Sequence, residues 1–225
     1  MYREKTFING NFKIEWNYKH PVVYRFLNND IYVNNFFSKG ELFISCLDDF
    51  KKHPNESLRD ESEGTFMIAG SNEKGLTGYF IESGKNAFVM STAAYITEKL
   101  KADYKDATVA IKITNPTMFA LEIARKLPFV TSGVEGFCNY KESKVQLLGN
   151  ASRENSILQA HLLKNDVESH TLLTQISEGD EVFDKNIRIK DENEYRLIWF
   201  SNERVAESVI ISCPEAIQYC EKLVL

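Results

Sequence analysis

Apolar positions along the chain fall in short bursts broken by polar turns, the spacing of a strand-rich protein rather than of a helical bundle. The run "PVVYRFL" at 21–27 predicts a short buried strand. The next stretch, "NDIYVNNFFSKG", predicts a helix capped by Asn29 or Asp30, with Gly40 just past its end. "ELFISC" at 41–46 returns to strand. The polar segment 47–64, "LDDFKKHPNESLRDESEG", predicts a long surface loop, and loops of that length commonly serve a function.

Three apolar bursts follow, "GTFMIAG", "TGYFIES" and "NAFVMST", separated by turn residues, and they predict a meander. "AAYITEKLKADY" at 93–104 carries Tyr95, Ile96 and Leu100 in a helical pattern, and "ATVAIKI" at 107–113 reads as strand. The clearest helix is 115–127, with Asn115 at its N-cap, Pro116 next and Arg125 and Lys126 in the last turn. "VEGFCNY" and "KVQLL" predict a strand pair, and 153–177 a helix. "EYRLIWF" and "SVIIS" predict a final strand pair, and 213–225 a closing helix with Pro214 in its first turn. Together these elements predict an α+β fold, and no linker divides the chain, so residues 1–225 read as a single domain.

Composition narrows what such a domain can do. With 225 residues, 43% of them hydrophobic and 12% aromatic, the chain has ample material for a core. A net charge of −5 argues against a generic grip on nucleic-acid backbone, which calls for a basic surface. Cys46, Cys138, Cys213 and Cys220 are scattered, and His161 and His170 stand too far apart for a finger-type pair, so no metal site is expected. No apolar run approaches the ~20 residues of a membrane helix, and "MYREKTFINGNFKIEW" has no apolar leader core. The expectation is a cytoplasmic protein with reduced thiols and no membrane contact.

The candidate chemistry lies in three places. Tyr24-Arg25 puts an arginine inside an apolar strand, Ser91-Thr92 ends a strand in two hydroxyls, and Glu192-Asn193-Glu194 heads another. Strand alternation predicts that Glu192, Glu194 and Arg196 share a face. Each place has an ordinary structural reading. Arg25 suits an edge or an ion pair, Ser91-Thr92 a helix cap, and the glutamates a solvated face paired to Arg196 or Lys190.

In order, the three resemble the arginine-serine-glutamate pattern of ADP-ribosyltransferases, enzymes that consume NAD. The matching residues are Arg25 after Tyr24, Ser91 with Thr92, and Glu192 with Glu194, while the family's third hydroxyl is Ala93 here. The resemblance implies a mostly antiparallel split two-sheet core with flanking helices and NAD in the cleft. It implies that Arg25 grips the pyrophosphate, Tyr24 adjoins it, Ser91 and Thr92 brace the pocket, Glu194 faces the ribose and Glu192 the acceptor. The segment 178–191 would then recognise that acceptor, a protein or a nucleic acid. A toxin or defence role, with an antitoxin or inhibitor protein as a further partner, follows from the same likeness. The segments "VVYRFL", "GELFIS…DDF…NE", "FVMST", "VEGFCNY" and "ENEYRL" are also similar, in order, to an uncharacterised bacterial family, which supplies no activity.

The chemistry of such a transfer suits these side chains. A guanidinium can bond a pyrophosphate bidentately. Cleavage at the ribose builds an oxocarbenium-like cation, which a fixed carboxylate stabilises as it forms. Two alternatives remain at this level. One is a non-catalytic protein-binding or inhibitory module in which Glu192, Glu194 and Arg196 form a salt-bridge ladder. The other is a metal-dependent nuclease using Asp48, Asp49, Glu56 and Glu192.

Overall fold

The computed structural model of the chain describes residues 21–52, 59–72, 75–148 and 180–225; the helix expected over 153–177 lies outside them. β1 (Val23–Arg25) gives way at two asparagines to α1 (Asp30–Lys39), where the Asn29 side chain accepts from the Ile31 amide. Gly40 ends the helix at φ 70°, a left-handed conformation that favours glycine, and a Cβ there would fall 2.2 Å from the Pro214 nitrogen. β2 (Glu41–Cys46) runs straight into a short helix, α2 (Leu47–Lys51), where the polar pattern suggests only loop.

β3 (Thr65–Asn72) and β4 (Gly75–Glu82) form an antiparallel hairpin, but β5 (Ala87–Ala93) leaves the expected meander and joins a different sheet. Because β5 continues through Ala93, the helix expected over 93–104 shrinks to α3 (Glu98–Asp103), capped by Thr97. β6 (Val109–Ile113) leads into α4 (Pro116–Ala124), which has the predicted Asn115 cap and opening proline. β7 (Val130–Phe137), β8 (Asn139–Lys141) and β9 (Val145–Leu148) follow, then β10 (Asp184–Asn186), β11 (Glu194–Ser201), β12 (Val209–Ser212) and β13 (Cys220–Val224).

Several expected pairings are replaced by long-range ones. β7 pairs with β11, β8 runs parallel to β10, and β9 runs parallel to β3. β12 crosses to β2 rather than folding back on β11. The expected closing helix is a 3-10 turn, Pro214–Tyr219, followed by β13, because the open edge of β6 captures the last residues as a strand. Ile217, Cys220 and Leu223 recur at helical spacing, so local pattern alone misleads there.

The result is an α+β fold with mostly antiparallel pairing. Eight strands make the main sheet, ordered β12-β2-β5-β1-β6-β13, with β11 beside β5 and β7 beside β11. β5 is its hub. One edge of β5 pairs with β11 from Ala93–Glu194 to Ala87–Phe200. Its other edge is divided: β2 pairs at Phe88 and Val89, β1 pairs at Ala93, and the two part around Ser91. This fork lies within one sheet: the strands bearing Arg25, Ser91 and Glu194 are all members of it, rather than of two packed sheets with a cleft between.

One face of the sheet carries Val23, Met90, Leu197 and Trp199 into the largest apolar cluster, which Val33 and Phe36 of α1 and Phe119 and Ile123 of α4 cover. Trp199 Nε1 donates to the Ala120 carbonyl at 2.9 Å, fixing α4 to the sheet. The opposite face carries Val89 and Ile198 against Leu47, Val182 and Phe183, and Ala93 against Phe26 and Leu100. No helix among the described residues is long and apolar enough to cross a membrane.

Candidate functional site

Glu194 is the first residue of β11 and stands opposite Ala93, which in turn stands opposite Tyr24. Directly opposed residues share a face, so Tyr24, Ala93 and Glu194 point the same way, with Ser91 and Arg196 one pleat along. Glu192 is not on the strand. It ends a 3-10 turn, Ile187–Glu192, and Asn193 bends the chain at φ 45° and ψ 49°. A turn, rather than strand alternation, brings the two carboxylates together.

They meet at a lysine that no motif announces. Lys185 of β10 places its Nζ 2.8 Å from Glu192 Oε2 and 2.5 Å from Glu194 Oε2, with 2% of the residue exposed. Glu194 Oε1 accepts from the Ser91 hydroxyl and from Arg196 Nε at 2.6 Å, and Oε2 lies 3.4 Å from Arg196 Nη2. A carboxylate has about four acceptor positions, so these partners saturate Glu194. The Tyr140 hydroxyl accepts its backbone N–H at 2.9 Å. Arg196 is anchored from the other side by Glu63, which comes from the polar segment after β2 and is fully buried.

Three carboxylates, Glu63, Glu192 and Glu194, therefore face two cations, Lys185 and Arg196, leaving one formal negative charge. Burial opposes ionisation of Glu194, but Arg196 and Lys185 outweigh it and hold the carboxyl well below the usual range. Glu192 goes the other way: burial pushes its carboxyl up, Lys185 pulls against this, and the Glu194 charge adds to it. Glu192 Oε1 is buried without a hydrogen-bond partner among the described residues. It is the one oxygen of the Glu192–Glu194 pair with its hydrogen-bonding capacity unused among the described residues.

The pair lies on the wall of a cavity of about 90 Å³ that Tyr24, Phe26, Phe50 and Tyr104 line with rings and Ser91 and Lys185 with polar groups. At ~10–15 Å³ per water, it holds several waters or a small planar group.

Arg25 is elsewhere. Alternation along β1 turns it to the face opposite Tyr24, where it lines a second cavity of about 440 Å³. Its guanidinium reaches into the fork of the sheet, with Nη1 donating to the Ser91 carbonyl and Nη2 to the Phe43 carbonyl, each at 3.1 Å. It thus satisfies carbonyls that the parting of β1 and β2 would leave open. Burial lowers its pKa to about 10. One residue, Ser91, links Arg25 to Glu194: the carbonyl faces the first and the hydroxyl the second. Thr92 lines the smaller cavity, while its hydroxyl donates to the Tyr195 carbonyl at 2.6 Å and ties β5 to β11.

The expected acceptor segment is packed where it is described. Glu181, Asp184 and Lys185 are buried, while Arg188, Lys190 and Asp191 are exposed. The acidic positions weighed for a metal do not gather: Asp48 lies 3.8 Å from Lys51, Asp49 accepts from the Ser208 hydroxyl, Glu192 is on Lys185, and Glu56 lies outside the described residues. Among the described residues no group of three or more His, Cys, Asp or Glu could hold a metal ion. Arg196 itself was the signal for Glu63, because a guanidinium inside an apolar strand requires a buried anion. Nothing in the sequence announces Lys185.

No protein-family model matches the chain, and no curated protein or solved structure is significantly similar to it.

Proposed function

We propose that the chain is an NAD-dependent ADP-ribosyltransferase of toxin or defence type, acting on a protein or nucleic-acid acceptor. The observation that carries this reading is the meeting of Tyr24, Ser91, Glu192 and Glu194, from three distant segments, in one aromatic-walled, net-anionic cavity. A nicotinamide ring bound as its cation suits such walls, since rings and carboxylates both favour positive charge. The cavity is small beside the roughly 300–1,000 Å³ of small-molecule sites, so only the planar nicotinamide ring of NAD would enter, with the ribose at its mouth.

In this proposal the glycosidic C–N bond breaks, nicotinamide leaves neutral, and the acceptor nucleophile attacks the ribose carbon while its proton passes to a carboxylate. Glu192 is the carboxylate with a free oxygen and a raised pKa, so it would accept the ribose hydroxyl or the acceptor proton. Glu194 would hold Lys185 and, through it, Glu192 in place. Arg25, on the other face, would keep Ser91 aligned rather than touch the nicotinamide ribose. The test is incubation of the protein with NAD labelled in its ADP-ribose part and a cell lysate, followed by separate protease and nuclease digestion. Thermal stabilisation by NAD, and label lost with one digestion in the parent but never attached by Glu192→Gln, is the expected result. No stabilisation and no nicotinamide release at millimolar NAD would overturn it.

A second proposal, a non-catalytic protein-binding module, draws on one observation: every acceptor position of Glu194 is filled by side chains of the chain itself. A fold in which the acidic pair is purely structural would look like this. Silence toward NAD in the same experiment selects it.

A further inference from the structure

The groove beside Arg25 has features that neither function uses. At about 440 Å³ it falls within the size range of small-molecule sites. Arg25 at its wall is only 8% exposed, and no carboxylate contributes to its electrostatics. Two of its hydrogens go to the Ser91 and Phe43 carbonyls, and its Nε–H is buried with no partner among the described residues. Buried cations are ordinarily paired with an anion, because an unneutralised charge away from water is costly.

Beside Asn28, Asn35 and Glu41, the wall carries exposed apolar side chains. Phe43 and Ile210 are direct cross-strand partners on the outer face of β2 and β12, 49% and 68% exposed. Tyr32, on the first turns of α1, is 55% exposed, and Leu27 lies between. Exposed apolar side chains beside a buried guanidinium that no carboxylate neutralises mark a binding surface rather than an ordinary solvated one. Glu41 is also on the wall, accepting from the Asn35 amide at 3.4 Å. Arg25 can pair with one negative charge, and the Glu41 carboxylate on the same wall disfavours the two or more charges of a phosphate ester or pyrophosphate.

We propose that this groove binds a monoanionic carboxylate with an apolar or aromatic body, the carboxylate on Arg25 and the body against Tyr32, Phe43 and Ile210. Nη1 and Nη2 each keep a second hydrogen beyond those given to the Ser91 and Phe43 carbonyls, and a planar carboxylate suits such a pair. The groove is a separate cavity from the one at Glu194, joined to it through Ser91, whose carbonyl accepts from Arg25 and whose hydroxyl donates to Glu194.

Isothermal titration of the full chain with 3-phenylpropionate tests it, with 3-phenylpropanol, 3-phenylpropylamine, inorganic phosphate and NAD as comparisons. Saturable binding of the carboxylate alone is expected. Ile210→Glu, at an exposed position, should stay folded and weaken that binding roughly tenfold or more by placing a like charge at the rim. Arg25→Met should abolish it; since Arg25 also braces the fork, Ile210→Glu decides if that variant does not fold. Absence of carboxylate binding, equal binding of the alcohol, unchanged affinity in Ile210→Glu, or displacement of the carboxylate by NAD or phosphate would each overturn the proposal.

Discussion

Arg196 and Glu63 bond twice across 133 residues of chain, Nη1 to Oε1 at 2.7 Å and Nη2 to Oε2 at 2.8 Å, and neither side chain is exposed. The same guanidinium holds Glu194 through Nε and also donates to the Val182 carbonyl. Arg196 thus ties β11 to the segment after β2 and to the turn before β10. The geometry of the carboxylate pair depends on it.

Arg196→Met should therefore cost about 3–5 kcal/mol, the scale of stranding buried charges without their partner. Glu63→Gln should cost less, because Arg196 keeps Glu194 and the amide still accepts a hydrogen bond. Urea unfolding of both variants measures this. A loss below about 1 kcal/mol in Arg196→Met would mean that the network does not support the site.

The sequence makes part of this arrangement legible and hides the rest for physical reasons. Asn29, Gly40, Asn115 and Pro116 mark helix ends through local hydrogen bonding and backbone preference, and the helices begin and end there. The strands β1 and β2 lie within their apolar runs, and β5 and β11 overrun theirs by one residue each, Ala93 and Ser201. Pairing is not local, so the places of β9, β12 and β13 could not be read from spacing. At the site, Tyr24, Ser91 and Glu194 follow from strand alternation once the register is known. Lys185 does not: it reaches Glu194 through the parallel pairing of β10 with β8, between segments about 45 residues apart that carry no shared pattern.

The two glutamates should affect stability in opposite directions. Glu194 has a folded pKa below its unfolded value of about 4.3. Its contribution is present above that unfolded value and is lost as pH falls through the folded one. Glu192 has a folded pKa above its unfolded value, so its favourable contribution exists at low pH and is lost as pH rises through the folded one. At pH 7, Glu194→Gln should destabilise the protein and Glu192→Gln should leave it equal or more stable. Both differences should shrink toward pH 3, measured as urea midpoints across that range. A Glu192→Gln variant less stable than the parent at pH 7 would reverse the assignment.

All four thiols should be inert in the folded state. Burial raises the pKa of Cys46, Cys138 and Cys213, and pushes Cys220 up to about 12. At pH 7.5 the Cys220 thiolate is then on the order of a few parts in 10⁵. Iodoacetamide in native buffer should leave the four cysteines unmodified over an hour, and all should react in urea, as intact-mass spectrometry would record. Rapid alkylation of Cys220 alone would mean that β13 detaches from β6 far more often than its pairing implies.

The transferase proposal separates Tyr24 from Glu192 in kinetics. Tyr24 offers a ring to the nicotinamide end, a contact made alike in the ground state and the transition state. Tyr24→Ser should raise the KM for NAD by roughly tenfold with little change in kcat, since uniform binding affects KM. Glu192 Oε1 has no hydrogen-bond partner among the described residues, and in the proposed reaction it would face the charge that develops as the C–N bond breaks. Glu192→Gln should lower kcat for nicotinamide release by roughly 10²–10³-fold with KM nearly unchanged, as for loss of one preorganised electrostatic group. Both variants should keep an unfolding free energy no more than about 1 kcal/mol below the parent's, measured in urea, which separates chemistry from folding. If Glu192→Gln keeps full turnover while Glu194→Gln loses it in a folded protein, Glu194 releases Lys185 during the reaction and the working carboxylate is Glu194.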